Sequence, residues 1–155
     1  MTLYLICGLP GAGKTTHAVR LAAATGAIRF CPDEWLADLG IDLFDEPARE
    51  RLESRLIRLT TELLAAGVDV ILEYGFWSRA ERDRLRDLAR ELGVRVELHA
   101  LVLPIDELWS RIERRNASDQ WRAAPITREH LEEWAAWFEV PTSDELARYD
   151  APAPR

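Results

Sequence analysis

GLPGAGKT, residues 8–15, follows the apolar run 3–7 and leads into a stretch with helical periodicity. The spacing G-x-x-x-x-G-K-T between a strand and a helix is that of a phosphate-binding loop. Gly8, Gly11 and Gly13 let successive backbone N–H groups curl around a β-phosphate. Lys14 reaches the β and γ oxygens, and the Thr15 hydroxyl is placed to ligate Mg²⁺. Pro10, Ala12 and Thr16 complete the stretch expected to touch the nucleotide, so a nucleoside triphosphate and Mg²⁺ are what this segment calls for.

Working outward, apolar runs alternate with amphipathic ones. Strands are expected at 3–7, 27–31, 68–72 and 94–103, and helices at 14–24, 49–66, 78–92, 105–116 and 128–137. Leu52, Leu56, Leu59, Leu63 and Leu64 give the second helix its period. Ser78 and Glu81 form a capping-box pair for the third, and Pro104 ends the last strand. Strands separated by helices of this length predict an α/β three-layer sandwich, with a central parallel sheet of four or five strands covered on both faces. One domain over 1–145, with a lid at about 116–127 and a tail at 146–155, is the organisation this implies.

The chain has 155 residues and is 48% hydrophobic, enough for one domain and its core. Twenty Lys and Arg stand against 27 Asp and Glu, a formal charge of −7, which argues against a broad surface for extended nucleic acid. The beginning MTLYLICG lacks a basic stretch ahead of a cleavable apolar segment, and no apolar run reaches membrane-spanning length. A cytoplasmic protein with no membrane partner, a monomer or a homodimer, is the expectation. Cys7 and Cys31 at strand ends read as buried thiols rather than a disulfide.

In an open α/β sheet, ligands collect beyond the carboxyl ends of the strands. There the sequence offers CPDEW, in which Asp33 can accept the proton of an attacking hydroxyl or, alternatively, serve as a cap or first-turn acid of the next helix. Glu73 ends VDVILE and suits a Mg²⁺ ligand or a substrate contact, although an acid at a strand end is common. Trp35, Phe76 and Trp77 can wall an acceptor site, Phe76 and Trp77 can instead simply pack in the core, and Arg79 follows them. Arg111, Arg114 and Arg115, with Arg122 beyond, fit a lid that closes over the triphosphate. A surface salt bridge between Glu107 and Arg111 is the plainer reading for one of them.

Together GLPGAGKT, CPDEW, the strand ending in Glu73 with GFWSRAER after it, and the helix ELWSRIERRN resemble the small P-loop kinase family often labelled AAA-type ATPases. This family is similar to the kinase domain of polynucleotide kinase, to zeta toxins and to chloramphenicol phosphotransferase. The resemblance covers roughly residues 2–140. It implies an adenylate-kinase-like core and transfer of the ATP γ-phosphoryl group to a hydroxyl. Asp33 then matches the acid that activates the acceptor, Lys14 and Thr15 the triphosphate–Mg²⁺ residues, and Arg111 and Arg115 the lid arginines. The polynucleotide kinase pattern places an arginine a few residues past its acid, whereas here the chain continues DEWLADLG.

The expected activity is therefore that of an ATP-dependent kinase acting on a hydroxyl of a small molecule such as a nucleoside, a sugar derivative or an antibiotic. Asp33, Lys14, Arg111 and Arg115 are the catalytic candidates. Asp33, Trp35, Glu73, Phe76, Trp77, Arg79 and Arg122 are those for the acceptor, and Thr15 and Glu73 those for the metal. A nucleotide switch or ATPase and a polynucleotide 5′-hydroxyl kinase are the alternatives. His17 and His99 read as structural, His130 lies in a Glu-rich helix, and Trp134, Trp137 and Phe138 read as core contact or a dimer face.

Overall fold

The computed structural model describes residues 1–118 and 125–152. Strands β1 (Thr2–Cys7), β2 (Ile28–Phe30), β3 (Val70–Gly75) and β4 (Arg95–Ala100) form one parallel sheet in the order β2-β3-β1-β4. Helices α1 (Lys14–Thr25), α2 (Pro32–Asp38), α3 (Glu46–Ala65), α4 (Arg79–Glu91), α5 (Ile105–Asn116), α6 (Arg128–Trp137) and α7 (Ser143–Leu146) connect and cover it.

Strand alternation divides the core. In β1, Tyr4 and Ile6 meet Ala18 and Leu21 of α1 on one face. Leu3, Leu5 and Cys7 belong to the larger cluster on the other face, with Leu56 and Leu64 of α3, Leu85 of α4, Leu108 and Ile112 of α5 and Leu131 of α6. Both faces are covered, which is why these strands read as nearly continuous apolar runs. No helix among the described residues is long and apolar enough to cross a membrane.

Several boundaries differ from the sequence expectation for identifiable reasons. Helix α3 begins ahead of its apolar period because the Asp45 carboxylate accepts from Ala48 N–H at 2.9 Å and a proline occupies the first turn. Strand β4 stops at Ala100, short of 103, because the chain turns to bracket the glycine loop: Leu101 N–H donates to the Cys7 carbonyl at 2.8 Å. Strand β3 runs on to Gly75 and carries one extra residue against β1, where Leu5 pairs with Leu72 but Cys7 pairs with Gly75. Such an insertion re-aims side chains at a strand end.

Ordered packing also continues past 145. Glu145 and Tyr149 are buried, and Asp150 brackets Val96 on the open edge of β4, its N–H donating to the Val96 carbonyl and its carboxylate accepting from Val96 N–H, each at 2.8 Å. This segment covers the edge where a fifth strand would otherwise add. The stretch expected as tail thus packs as far as Asp150, while its end at 153–155 lies outside the described residues.

Candidate active site

The glycine loop is held on both sides by backbone. Gly8 N–H donates to the Gly75 carbonyl of β3 at 2.9 Å, and a Cβ on Gly8 would sit 2.6 Å from the Leu101 carbonyl oxygen. Gly11 has φ +82°, and a Cβ there would meet the Leu108 carbonyl of α5 at 2.9 Å. Helix α5 therefore lies directly against the loop, and only glycine permits it. Gly13 precedes α1 with no side-chain cap, so the first N–H groups of that helix remain to face an anion.

Lys14 donates from Nζ to the Leu9 carbonyl at 3.0 Å, an internal bond across the loop. Burial pushes the Lys14 ammonium below the usual lysine range; the carboxylates of Glu73 and Asp33 pull it back up, and Arg115 pushes it down further. Burial likewise lowers Arg115, opposed by Asp33. Asp33, Glu73, Lys14 and Arg115 thus share one electrostatic neighbourhood, brought together from the ends of β2, β3, the loop and α5. Arg111 pairs with Glu107 at 2.6 Å, as the plainer reading has it, yet its Nη1 lies 3.7 Å from where a Gly13 Cβ would stand.

The Thr15 hydroxyl donates to Glu73 Oε1 at 2.5 Å, and Arg29 of β2 donates to Glu73 Oε2 at 2.5 Å and also to Glu34. Glu73 is buried. The hydroxyl and carboxylate form a pair of hard oxygen donors of the kind Mg²⁺ takes, with phosphate and water oxygens to fill its octahedron. They fit the ion as two ligands; among the described residues no group of three acids, histidines or cysteines forms a cage for a metal.

Asp33 is a first-turn acid of α2, as the plainer reading has it, but not its cap. Cys31 occupies the N-cap, Pro32 opens the helix, and the Asp33 carboxylate accepts from Arg49 Nη2 of α3 at 2.6 Å while remaining 63% exposed. Arg49 also reaches Glu53 at 3.4 Å and the Leu43 carbonyl at 3.2 Å. The cation that the sequence after Asp33 lacks therefore arrives from another element, sixteen residues on in the chain. Sequence reasoning missed Arg29, Arg49 and Glu53, because only folding brings them to these carboxylates.

The aromatic candidates part company. Phe76 stacks on Tyr74 with ring centroids 5.3 Å apart, and both line a cavity between α3 and the start of α4. Trp77 turns away to Trp134 of α6 at 5.8 Å, and Trp35 packs edge-on against Phe30 at 6.1 Å. Arg79 pairs with Asp83 at 3.5 Å, and its N–H donates to Glu139. Arg122 lies outside the described residues, as does part of the lid expected at 116–127; at its base the Asn116 side-chain amide donates to the Ile126 carbonyl at 2.8 Å.

A second missed element supports this strand end. Phe76 has φ +45°, a left-handed conformation costly for an aromatic residue. Its carbonyl accepts from Arg82 Nη1 at 2.9 Å, and the buried Arg82 is gripped by Glu145 of α7 at 2.6 and 3.0 Å. Elsewhere, His17 meets His99 at 2.9 Å, which in turn meets Glu97, tying α1 to β4. His130 caps α6 with Thr127. Cys7 and Cys31 are buried free thiols, each raised to about 11 chiefly by burial.

A family model described as AAA domain matches residues 3–141. The chain belongs to the AAA-domain family. No curated protein matches it in sequence. Among solved structures, this AAA domain is similar to a chain of the Pnkp1/Rnl/Hen1 RNA repair complex, with a TM-score of 0.73 and 19% identity over 96% of its own length, and it spans 46% of that chain. It is similar to a sugar kinase from Janibacter sp., with a TM-score of 0.65 and 26% identity over 94% of this chain and 82% of that one. A gluconokinase from Sinorhizobium meliloti 1021 aligns with a TM-score of 0.64 and 21% identity over 92% and 78%. At 19 and 21% identity the likeness speaks to the fold, which is that of P-loop kinases.

Proposed function

We propose that this protein is an ATP-dependent kinase that transfers the γ-phosphoryl group to a hydroxyl of a small molecule. The observation that carries this reading is Asp33: an exposed carboxylate beyond β2, close enough to Lys14 and Arg115 to act on both their charges, and held by Arg49. An acid in that place has no task in binding the nucleotide, but it is what an attacking hydroxyl needs. The similarity to a sugar kinase supports the same class.

In this reading the loop N–H groups and Lys14 hold the β- and γ-phosphates. Thr15 and Glu73 hold Mg²⁺, which when bound draws charge from the phosphate oxygens. Asp33 orients the acceptor hydroxyl and takes its proton as the oxygen attacks phosphorus in line with the departing ADP oxygen. Arg115 and Arg111 stabilise the charge spread over the equatorial oxygens. Free buried thiols fit a reducing compartment, and we assign the protein to the cytoplasm.

Incubation with Mg²⁺ and γ-labelled ATP against a panel of sugars, amino sugars, nucleosides and 5′-hydroxyl oligonucleotides tests it. The expected result is label on a small acceptor, with Asp33→Asn retaining ATP affinity while losing transfer by about 10²–10⁴-fold. Free phosphate with no labelled acceptor, unchanged in D33N, would overturn it.

A further inference from the structure

The cavity beyond β3 has a chemistry of its own. It measures about 180 Å³ and lies between α3 and the β3–α4 junction, with the rings of Tyr74 and Phe76 along one side. Its charged lining is three carboxylates, Glu50, Glu53 and Glu81, against one guanidinium, Arg84. Arg49 reaches only one of the three, Glu53, at 3.4 Å, and is held more closely by Asp33 at 2.6 Å. Burial raises Glu53 above the usual carboxylate range; Arg49 lowers it, and Glu81 and Asp33 raise it further. The Tyr74 hydroxyl oxygen is buried with no hydrogen-bond partner among the described residues. Buried polar atoms are rarely left so.

These facts select among acceptors. A carboxylate or phosphate on the acceptor would enter a cavity whose acids outnumber its base, and repulsion and desolvation would both oppose it. A protonated amine meets the reverse, and hydroxyl groups find acceptors in the same carboxylates. Arg49, bonded to both Asp33 and Glu53, links a carboxylate of the cavity to the acid assigned to take the proton.

We propose that this cavity holds the acceptor and selects a polyhydroxy compound bearing an ammonium group, an amino sugar or amino alcohol, with Glu53 as the specificity-determining residue. This rests on the kinase reading for its role in turnover, but binding in the cavity is measurable without phosphoryl transfer.

The test uses three probes of one carbon skeleton: glucosamine, glucose and gluconate. Each is titrated into protein labelled at the isoleucine methyls, with the cavity-lining Ile57 as reporter. Glucosamine is expected to shift Ile57 saturably and more tightly than glucose, with gluconate weakest. In Glu53→Gln the ratio of glucosamine to glucose affinity should fall about tenfold, the loss of one charge-assisted bond. Glu62→Gln, an exposed acid on the same helix paired with Arg55, should leave the ratio as it is. Gluconate binding more tightly than glucosamine, no Ile57 response to any probe, or an unchanged ratio in E53Q would each overturn the proposal. ATP affinity is measured alongside by calorimetry. A protein that binds glucosamine but not ATP would sink the kinase reading and keep the cavity assignment, and the converse would do the opposite.

Discussion

The nucleotide half and the acceptor half of the proposed site are built by different means. Residues 8–15 form one contiguous loop whose working groups are largely backbone N–H, fixed by glycines that let β3, the 101 carbonyl and α5 approach. The acceptor half is assembled from side chains far apart in sequence, Asp33 with Arg49 and Arg82 with Glu145, and the Arg29–Glu73 pair lies between the two halves. The first half should fail when backbone geometry is disturbed, the second when a charge is removed.

The largest expected effect on ligand binding breaks the first half alone. In Gly11→Val the side chain would collide with the Leu108 carbonyl and with Ile112 Cγ1, 3.1 Å from the Cβ position, at a φ of +82° that valine avoids. The loop must open or α5 must withdraw. Several N–H bonds to charged oxygens are lost, so ATP affinity should fall by about 100-fold or more by calorimetry. Glucosamine should still shift Ile57. A G11V protein that keeps ATP affinity would mean that the loop is not the nucleotide site; one that loses both ligands would mean the halves are not separable.

That division also governs what the sequence discloses. The loop was legible because its chemistry is local: eight consecutive residues carry the turns, the ammonium and the hydroxyl. The parallel sheet was legible for a similar reason, since period-2 and period-3.6 patterns are written in neighbours. Asp33 and Glu73 could be singled out from their places at strand ends, but their partners could not. Arg29 and Glu73 are 44 residues apart and Arg82 and Glu145 are 63 apart, and no spacing rule links them. The extra residue in β3 was equally hidden: the register shifts between Leu72 and Gly75, and in sequence Gly75 reads as the end of a strand rather than as the mark of a bulge. Trp77 shows the limit of reading aromatics: its neighbour Phe76 lines the cavity, while Trp77 itself meets α6 across a backbone turn that composition does not reveal.

Charge removal in the second half should appear first as lost stability. Arg82 and Glu145 are 0 and 1% exposed, and the pair fixes the Phe76 and Trp77 carbonyls. Burial opposes the Arg82 charge, but Glu145 more than offsets this and the guanidinium is raised above its usual range. Glu145→Gln leaves a buried cation without its counter-charge and should cost about 3–5 kcal/mol in urea unfolding. The double variant R82M/E145L removes both charges and should recover most of that stability. It should not restore acceptor binding, because the Phe76 carbonyl loses the donor that holds its left-handed turn. Full recovery of both would reduce the pair to a packing element with no bearing on the site.

The smallest effect sharpens the comparison most, because it asks whether the acceptor half is strained by its own charges. Glu53 is 27% exposed on its side chain, and its folded pKa lies above its unfolded value because of burial, with Glu81 and Asp33 adding to the rise and Arg49 opposing it. The folded protein then binds more protons than the unfolded chain between those two values. Stability must fall as pH rises through that window, and the penalty is complete above it. Glu53→Gln removes the penalty, so it should match the parent protein near pH 4 and exceed it at neutral pH by a Tm difference below about 3 °C, given the exposure of the group. An ammonium ligand answers the same unfavourable charge. Glucosamine at neutral pH should therefore raise the Tm of the parent more than that of E53Q, whereas glucose should raise both alike. A parent protein more stable than E53Q at neutral pH would show that the Arg49 pairing outweighs the burial of Glu53, and that the carboxylate is held by its own neighbour rather than kept for a ligand.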